Sequence, residues 1–403
     1  MIHFKKVWLL LFSLLLMVPT AWGQDDDGLD SLRQRDDFVT ASLLVSTPGV
    51  EVYSVLGHCV VRMECPTYDL DYCFSFEIYK STTLADFMRF FGRQISAGFM
   101  NYKTSEYLKE CKEEGRGVVQ WTLNLTPSQK QELWRYLDKK AEDGPSHQFD
   151  FVSQNCTFLS FTAVESQLQG ERLVVKSWPE AMRRNVRASD GCYYYFRYSR
   201  WLQFVLMTIG GTEADVVEPI DHYIAPEMVG QVLQQSVIVS NNGSERPALL
   251  GDPVTLLPQT SYNSLAWLSP VKFFLMLLLI VVLVTVGEWR FGWKRAAQVL
   301  DAVLLTVQAL AGVLLLYFAL VSCVFGLNWN WCLIIFNPLP LLLWLFGRRC
   351  GWASRLWLFY AVVLLLFGAV LPFFTTQIMV AHRLIALALS VRYASLWKIF
   401  KKK

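Results

Sequence analysis

The chain is poor in the patterns that hold metals. Its 403 residues include five histidines, and no Cys-x-x-Cys or His-x-x-x-His spacing occurs, so no zinc site is expected. Net charge is scarce too. A formal +3 offers no basic footprint, and nucleic acid is not expected as a partner. There is no internal repeat and no low-complexity tract, and with 53% apolar residues the chain is too hydrophobic to stay disordered. No motif asks for a cofactor.

Charged side chains also vanish locally, and where they vanish is informative. Met1–Gly23 has Lys5 and Lys6, then the apolar run Val7–Val18, then Ala21-Trp22-Gly23. That is the pattern of a secretory signal peptide cut near Gln24, with an uncleaved anchor as the alternative. From Pro270 five apolar segments follow, at about 270–288, 297–326, 331–346, 354–375 and 377–397, each near the ~20 residues a bilayer needs. The third is broken by Asn337-Pro338-Leu339-Pro340, which suggests a kinked or re-entrant helix, and the fifth carries His382, Arg383 and Arg392. Basic residues occupy alternate loops: Arg290, Lys294 and Arg295; Arg348, Arg349 and Arg355; then Lys398 and Lys401–Lys403. The intervening loops near Gly326–Asn330 and Phe373–Gln377 have none. The positive-inside rule puts the basic loops and the C-terminus in the cytoplasm and the long region before Pro270 outside.

The expected division is a signal peptide (1–23), an exported catalytic domain (24–258), a linker (259–269), a five-helix membrane domain (270–397) and a basic tail (398–403). Within the exported part, Tyr53–Met63 is a β-branched run between Pro48-Gly49 and Cys65-Pro66, and 71–79 alternates as a further strand. Leu84–Phe91 reads as a helix and Gly117–Leu125 as a strand. Thr126-Pro127-Ser128-Gln129 opens a helix to about Glu142, with Thr126 as N-cap. Trp201–Ile209 is strongly apolar, Pro226–Gln235 is a short helix, and Asn241–Pro258 is a turn-rich stretch leading to the membrane. Strands mixed with helices make an α+β domain. Of nine cysteines, Cys65 and Cys73 flank a turn and either bridge it or stay free, since spacing does not decide connectivity.

Two stretches carry chemistry. Asn155 is a good N-cap for a segment in which Phe158, Phe161, Val164 and Leu168 recur at helical spacing up to Gly170. Cys156 then sits at the positive end of a helix, where partial charge favours the thiolate. His58 lies on the Tyr53–Met63 strand. A helix-start Cys facing a strand His is the working pair of cysteine nucleophilic catalysis, although a lone Cys is by default a buried core residue. Asp71 is the first choice to orient His58, with Asp69 and Arg62 as alternatives. Backbone N–H groups near Cys156 and Thr157 suit an oxyanion hole, and Arg62 suits a donor phosphate. His147, in the polar loop Gly144–Asp150, and His222 read as surface residues.

Asn155-Cys156-Thr157-Phe158, with a strand His far upstream, resembles the permuted papain-like superfamily of NlpC/P60-like peptidases and lecithin:retinol acyltransferase-like enzymes. In those acyltransferases a second His follows the first; here that place holds Asp69 to Asp71. More closely, Leu43–Gly49 (LLVSTPG), Tyr53–Arg62 (YSVLGHCVVR), Asp71-Tyr72, Leu123–Thr126 (LNLT), Asn155-Cys156-Thr157 and Gly211–Asp215 (GTEAD) resemble the Bacteroidota-type lipoprotein N-acyltransferases, the Lnb family. The multi-span C-terminal region with Asn328-Trp329-Asn330 and Asn337-Pro338 fits the same architecture. The resemblance implies an inner-membrane enzyme with a periplasmic catalytic domain. Cys156 and His58 would do the chemistry, Asp71 would assist, and Arg62, Asn155 and Thr157 would meet substrate. The implied partners are a phospholipid acyl donor, a diacylated lipoprotein acceptor and membrane lipid. Trp201–Ile209 and the aromatic cluster Tyr193 to Phe196 would lie at headgroup level or simply pack a core. A membrane-tethered NlpC/P60-like peptidase or amidase acting on peptidoglycan is the competing enzyme, and a non-catalytic scaffold is the third class.

Overall fold

The computed structural model describes residues 39–49, 54–78, 95–143, 147–149, 154–184, 187–217, 224–260, 267–322, 324, 326–347 and 352–401. The expected signal peptide, the helix at Leu84–Phe91, His222, Cys323 and Cys350 lie outside these described residues.

An antiparallel sheet of seven strands organises the first domain. In chain order its strands are β1 (Thr40–Ser46), β2 (His58–Cys65), β3 (Leu70–Ile78), β4 (Ile95–Lys103), β5 (Val118–Thr122), β6 (His147–Phe149) and, later, β10 (Val254–Leu257). Their spatial order is β10-β5-β1-β2-β3-β4-β6. The two faces follow from strand alternation. One face presents Leu43, Cys59, Val61, Met63, Phe74 and Phe76 to two helices, α2 (Pro127–Glu142) and α3 (Cys156–Ser166). The other presents Leu44, Val60, Cys73 and Val118 to Tyr107 and Cys111 of α1 (Thr104–Glu113). The sheet is thus buried on both faces near the middle of β2.

Local signals explain the helices. Thr126 caps α2 in a full capping box with Gln129, and Leu133 and Leu137 are fully buried. Arg246, on β9 (Glu245–Pro247), pairs with Glu171 and Gln129. It thereby ties the small sheet β7 (Arg172–Val175), β8 (Ser236–Val239) and β9 to α2. The stretch 241–258, expected as a linker, is corrected here. It supplies β9 and β10, and β10 pairs with β5 as an edge strand of the main sheet. Pro247, Pro253, Gly243 and Gly251 make it look like turns, but edge strands tolerate proline. His147 likewise begins β6 and does not sit in a loop. Cys65 and Cys73 are free. The β2–β3 register sets Cys65 opposite Leu70 and Cys73 opposite Arg62, so the two sulfurs do not meet.

Short helices α4 (Glu180–Arg184), α5 (Ala188–Tyr195), α6 (Arg200–Ile209) and α7 (Val229–Gln234) lead on, with a 3-10 turn at Thr212–Asp215. The C-terminal region is helical: α8 (Pro270–Phe291), α9 (Lys294–Val321), α10 (Leu339–Phe346), α11 (Ala353–Val370) and α12 (Val380–Lys401). Among the described residues, three helices are long and apolar enough to cross a membrane, at Pro270–Phe291, Lys294–Val321 and Ala353–Phe373. The third apolar segment is shorter, a 3-10 turn at Trp331–Ile334 followed by α10. α12 has 22 residues, long enough to span the hydrocarbon core, yet it carries Arg392 inward against Asp301 and Glu288.

Candidate active site

Gly57 sets up the site. Its φ of +80° belongs to the left-handed region, and a Cβ there would lie 2.3 Å from the Ser46 carbonyl oxygen. Only glycine makes this turn at no steric cost, and β2 starts on the next residue, His58. The β2–β3 ladder then closes only from Val61 opposite Phe74 onward. The N-terminus of α3 packs against β2 and β3.

Cys156 is the first residue of α3, and the Asn155 side-chain oxygen accepts from the Phe158 N–H at 2.9 Å. His58 and Cys156 act on each other electrostatically. His58 Nε2 lies 2.6 Å from Ser75 Oγ and 3.7 Å from Glu77 Oε1. Tyr102 donates to the same Glu77 oxygen at 2.8 Å.

The electrostatics run in one direction. Burial disfavours the imidazolium, but the Cys156 charge and hydrogen bond, then those of Glu77, outweigh it and push His58 up to about 10. Burial would raise the Cys156 thiol, yet His58 brings it below its ordinary value, helped by the Cys59 backbone N–H and Thr157. Glu77, also opposed by burial, is held down to about 2 by His58, Ser75 and Tyr102. Cys156 and His58 each favour the charged form of the other, and Glu77 favours the imidazolium. The neighbouring thiol behaves oppositely: burial and the Cys156 charge push Cys59 well up, so it stays protonated in the core.

The remaining expected site residues are drawn elsewhere. Asp71 does not orient His58. Arg62 Nε and Nη2 grip its two oxygens at 2.7 and 2.8 Å, and Thr104 donates to it at 2.5 Å. The reason is register: Asp71 stands opposite Glu64, three pairs beyond the end of the ladder nearest His58. Carrying the same offset back from Val61 and Phe74 brings His58 opposite Glu77. Counting from the Cys65–Leu70 turn could have found this. Arg62 is further occupied by Gln120 at 2.6 Å and Glu64 at 3.1 Å, which leaves it tied into the sheet, away from any donor phosphate. Asn155 spends its side-chain oxygen on the helix cap, and Thr157 is fully buried. Among the described residues no cluster of His, Cys, Asp or Glu could hold a metal ion.

An α+β domain that sets a helix-start cysteine beside a strand histidine, followed by long apolar helices, defines the class: a membrane protein with a folded α+β N-terminal domain. The comparisons give the class its family. The Lnb N-terminal periplasmic domain matches residues 34–184 and the Lnb transmembrane domain matches residues 261–403. The chain belongs to the Lnb family of lipoprotein N-acyltransferases, with a periplasmic N-terminal domain and a membrane domain. No curated protein and no solved structure matches it.

Proposed function

We propose that the chain moves a fatty acyl chain from a phospholipid, through a thioester on Cys156, to the α-amine of the N-terminal diacylglyceryl-cysteine of lipoproteins. The observation that carries this reading is the Cys156–His58 pair with Glu77 behind it. The Cys156 thiolate attacks the donor ester carbonyl. As the tetrahedral intermediate collapses, His58 gives its proton to the leaving lysophospholipid oxygen. The acceptor amine then attacks the thioester, His58 takes the amine proton, and the thiolate is regenerated with an amide formed. Thioester to amide is downhill, so no external energy source enters the balance. The Cys59 N–H beside the Cys156 sulfur, with the backbone N–H groups of Cys156 and Thr157, suits the oxyanion. Asp71 and Arg62 support the sheet in this scheme, and Glu77 takes the role expected of Asp71.

The same reading puts the protein in the bacterial inner membrane, with a cleaved signal peptide, five crossings and a cytoplasmic C-terminus. It rests on the basic loops and on α12, which packs within the bundle core. The test is to give the purified protein phospholipid without acceptor. A fatty acyl mass on Cys156 is expected, labile to neutral hydroxylamine and absent in Cys156→Ala, and it should discharge onto a diacylated lipopeptide only when the amine is free. A peptidoglycan peptide on Cys156, or normal lipoprotein N-acylation in cells carrying Cys156→Ala at equal level, overturns the reading.

A further inference from the structure

The Gly211–Asp215 segment lies outside the catalytic centre, and five hydrogen bonds join it to the membrane domain. Gly211 N–H donates to the Gly326 carbonyl at 2.5 Å, and Gln377 Nε2 donates to the Gly211 carbonyl at 2.7 Å. Thr212 N–H bonds the Trp329 carbonyl at 3.0 Å, and Glu213 accepts from the Gly326 N–H at 3.2 Å. Asp215 accepts from Thr375 at 3.0 Å. A Cβ on Gly211 would lie 1.5 Å from the Asn328 carbonyl oxygen, so backbone meets backbone here and no larger residue fits. These partners fall in the two loops that lack basic residues.

The helix just before this segment is part of the same joint. Phe204 and Ile209 of α6 are buried in one cluster with Phe318, Trp357 and Ile385 of the bundle. Trp201 packs edge-on to Phe273, and Thr208 Oγ1 lies 2.9 Å from His382 Nε2. On the other side, Asp215 also accepts from Ser189 of α5 at 2.7 Å. Tyr195 of α5 shares a core with Phe161 and Val164 of the Cys156 helix. A continuous packed path therefore runs from the membrane loops to the nucleophile. Exposed Val216 and Val217 and, on the loops, Trp329 and Phe373 surround the joint, as residues at a membrane–water boundary do.

We propose that Gly211–Asp215 is a clasp that holds the catalytic domain at a fixed height on the membrane domain, so that Cys156 takes its acyl donor out of the bilayer and not from water. This rests on the acyl-transfer reading and adds where the donor comes from. Full-length protein is compared with Gly211→Ala and with Asp215→Ala, the milder change that keeps the backbone path. Three rates are read: Cys156 alkylation by iodoacetamide, Cys156 acylation by a short-chain water-soluble ester, and Cys156 acylation from phosphatidylethanolamine vesicles. The first two should stay within about twofold, while acylation from vesicles falls about 10- to 100-fold, the scale of a misplaced reacting group. Equal loss of all three rates makes the segment merely structural and overturns the clasp, as does full acylation from vesicles in both variants. Wild-type protein that takes an acyl group from neither donor removes the acyl-transfer reading itself, an outcome distinct from either of these.

Discussion

Glu77 carries the sharpest residue-scale consequence. Its carboxylate lies 3.7 Å from His58 Nε2, so Glu77→Gln should keep the fold and cost about 10²- to 10⁴-fold in acyl transfer. Asp71→Asn should stay near wild type in transfer, because Asp71 braces Arg62 instead. The reverse ranking in a steady-state assay would return the role to Asp71. The pH dependence follows from the same contacts. His58 is raised from 6.5 to about 10, so its contribution is complete below its ordinary value and is lost as pH rises through about 10. Transfer should fall there as the leaving group loses its proton donor, while alkylation of Cys156 should not fall. Glu77 is depressed from 4.5 to about 2, so its contribution holds above its ordinary value and disappears only as pH falls through about 2. In His58→Ala only the Cys59 N–H and Thr157, the weaker influences, are left against the upward push of burial on Cys156. The alkylation midpoint should then move above the ordinary thiol value, where the wild type lies below it.

At the scale of elements, α3 depends on one cap. Asn155→Ala removes the acceptor for the Phe158 N–H and should cost about 1 kcal/mol, with Asn155→Ser restoring most of it. Chemical denaturation read alongside the alkylation rate separates the two roles: a cap alone moves stability, and the serine rescues it. A substrate-binding Asn155 would lose transfer in both variants at unchanged stability.

The whole molecule hangs on a buried charge cluster. Arg392 of α12 grips Asp301 of α9 at 2.7 and 2.8 Å and reaches Glu288 and Thr285 of α8 at 3.0 and 2.9 Å. Three helices meet there inside the bundle. Arg392→Ala leaves two carboxylates without their cation and should destabilise the bundle by about 3–5 kcal/mol. Replacing Arg392, Asp301 and Glu288 together by apolar residues of similar volume should recover most of that loss. Thermal denaturation in detergent is the measurement, and a triple variant no better than Arg392→Ala would show that the cluster does more than offset its own burial.

Much of this was legible in local sequence. The Thr126 box, the Asn155 cap, the start of the membrane domain at Pro270 and the Asn155-Cys156 pair each depend on residues a few positions apart, and local hydrogen bonds and hydrophobic period decide them. The strand expected over Tyr53–Met63 starts later, since Ser54–Leu56 form a turn and β2 begins at His58. The partner of His58 did not emerge that way. Ser75 is 17 residues from His58, and its place beside the ring exists only once the strands have chosen a register. The strand β10 within 241–258 was hidden because its pairing partner, β5, lies more than a hundred residues earlier. The joint between the domains is further still from local reach, with Thr208 and His382 separated by 174 positions. Sequence by itself determined most of the elements, the hydrophobic bundle and the cysteine at the start of α3, since propensity and solvent preference act along the chain. Only the tertiary structure decided which carboxylate serves His58 and how the catalytic domain is held on the membrane, because both are set by contacts between segments that the chain keeps apart.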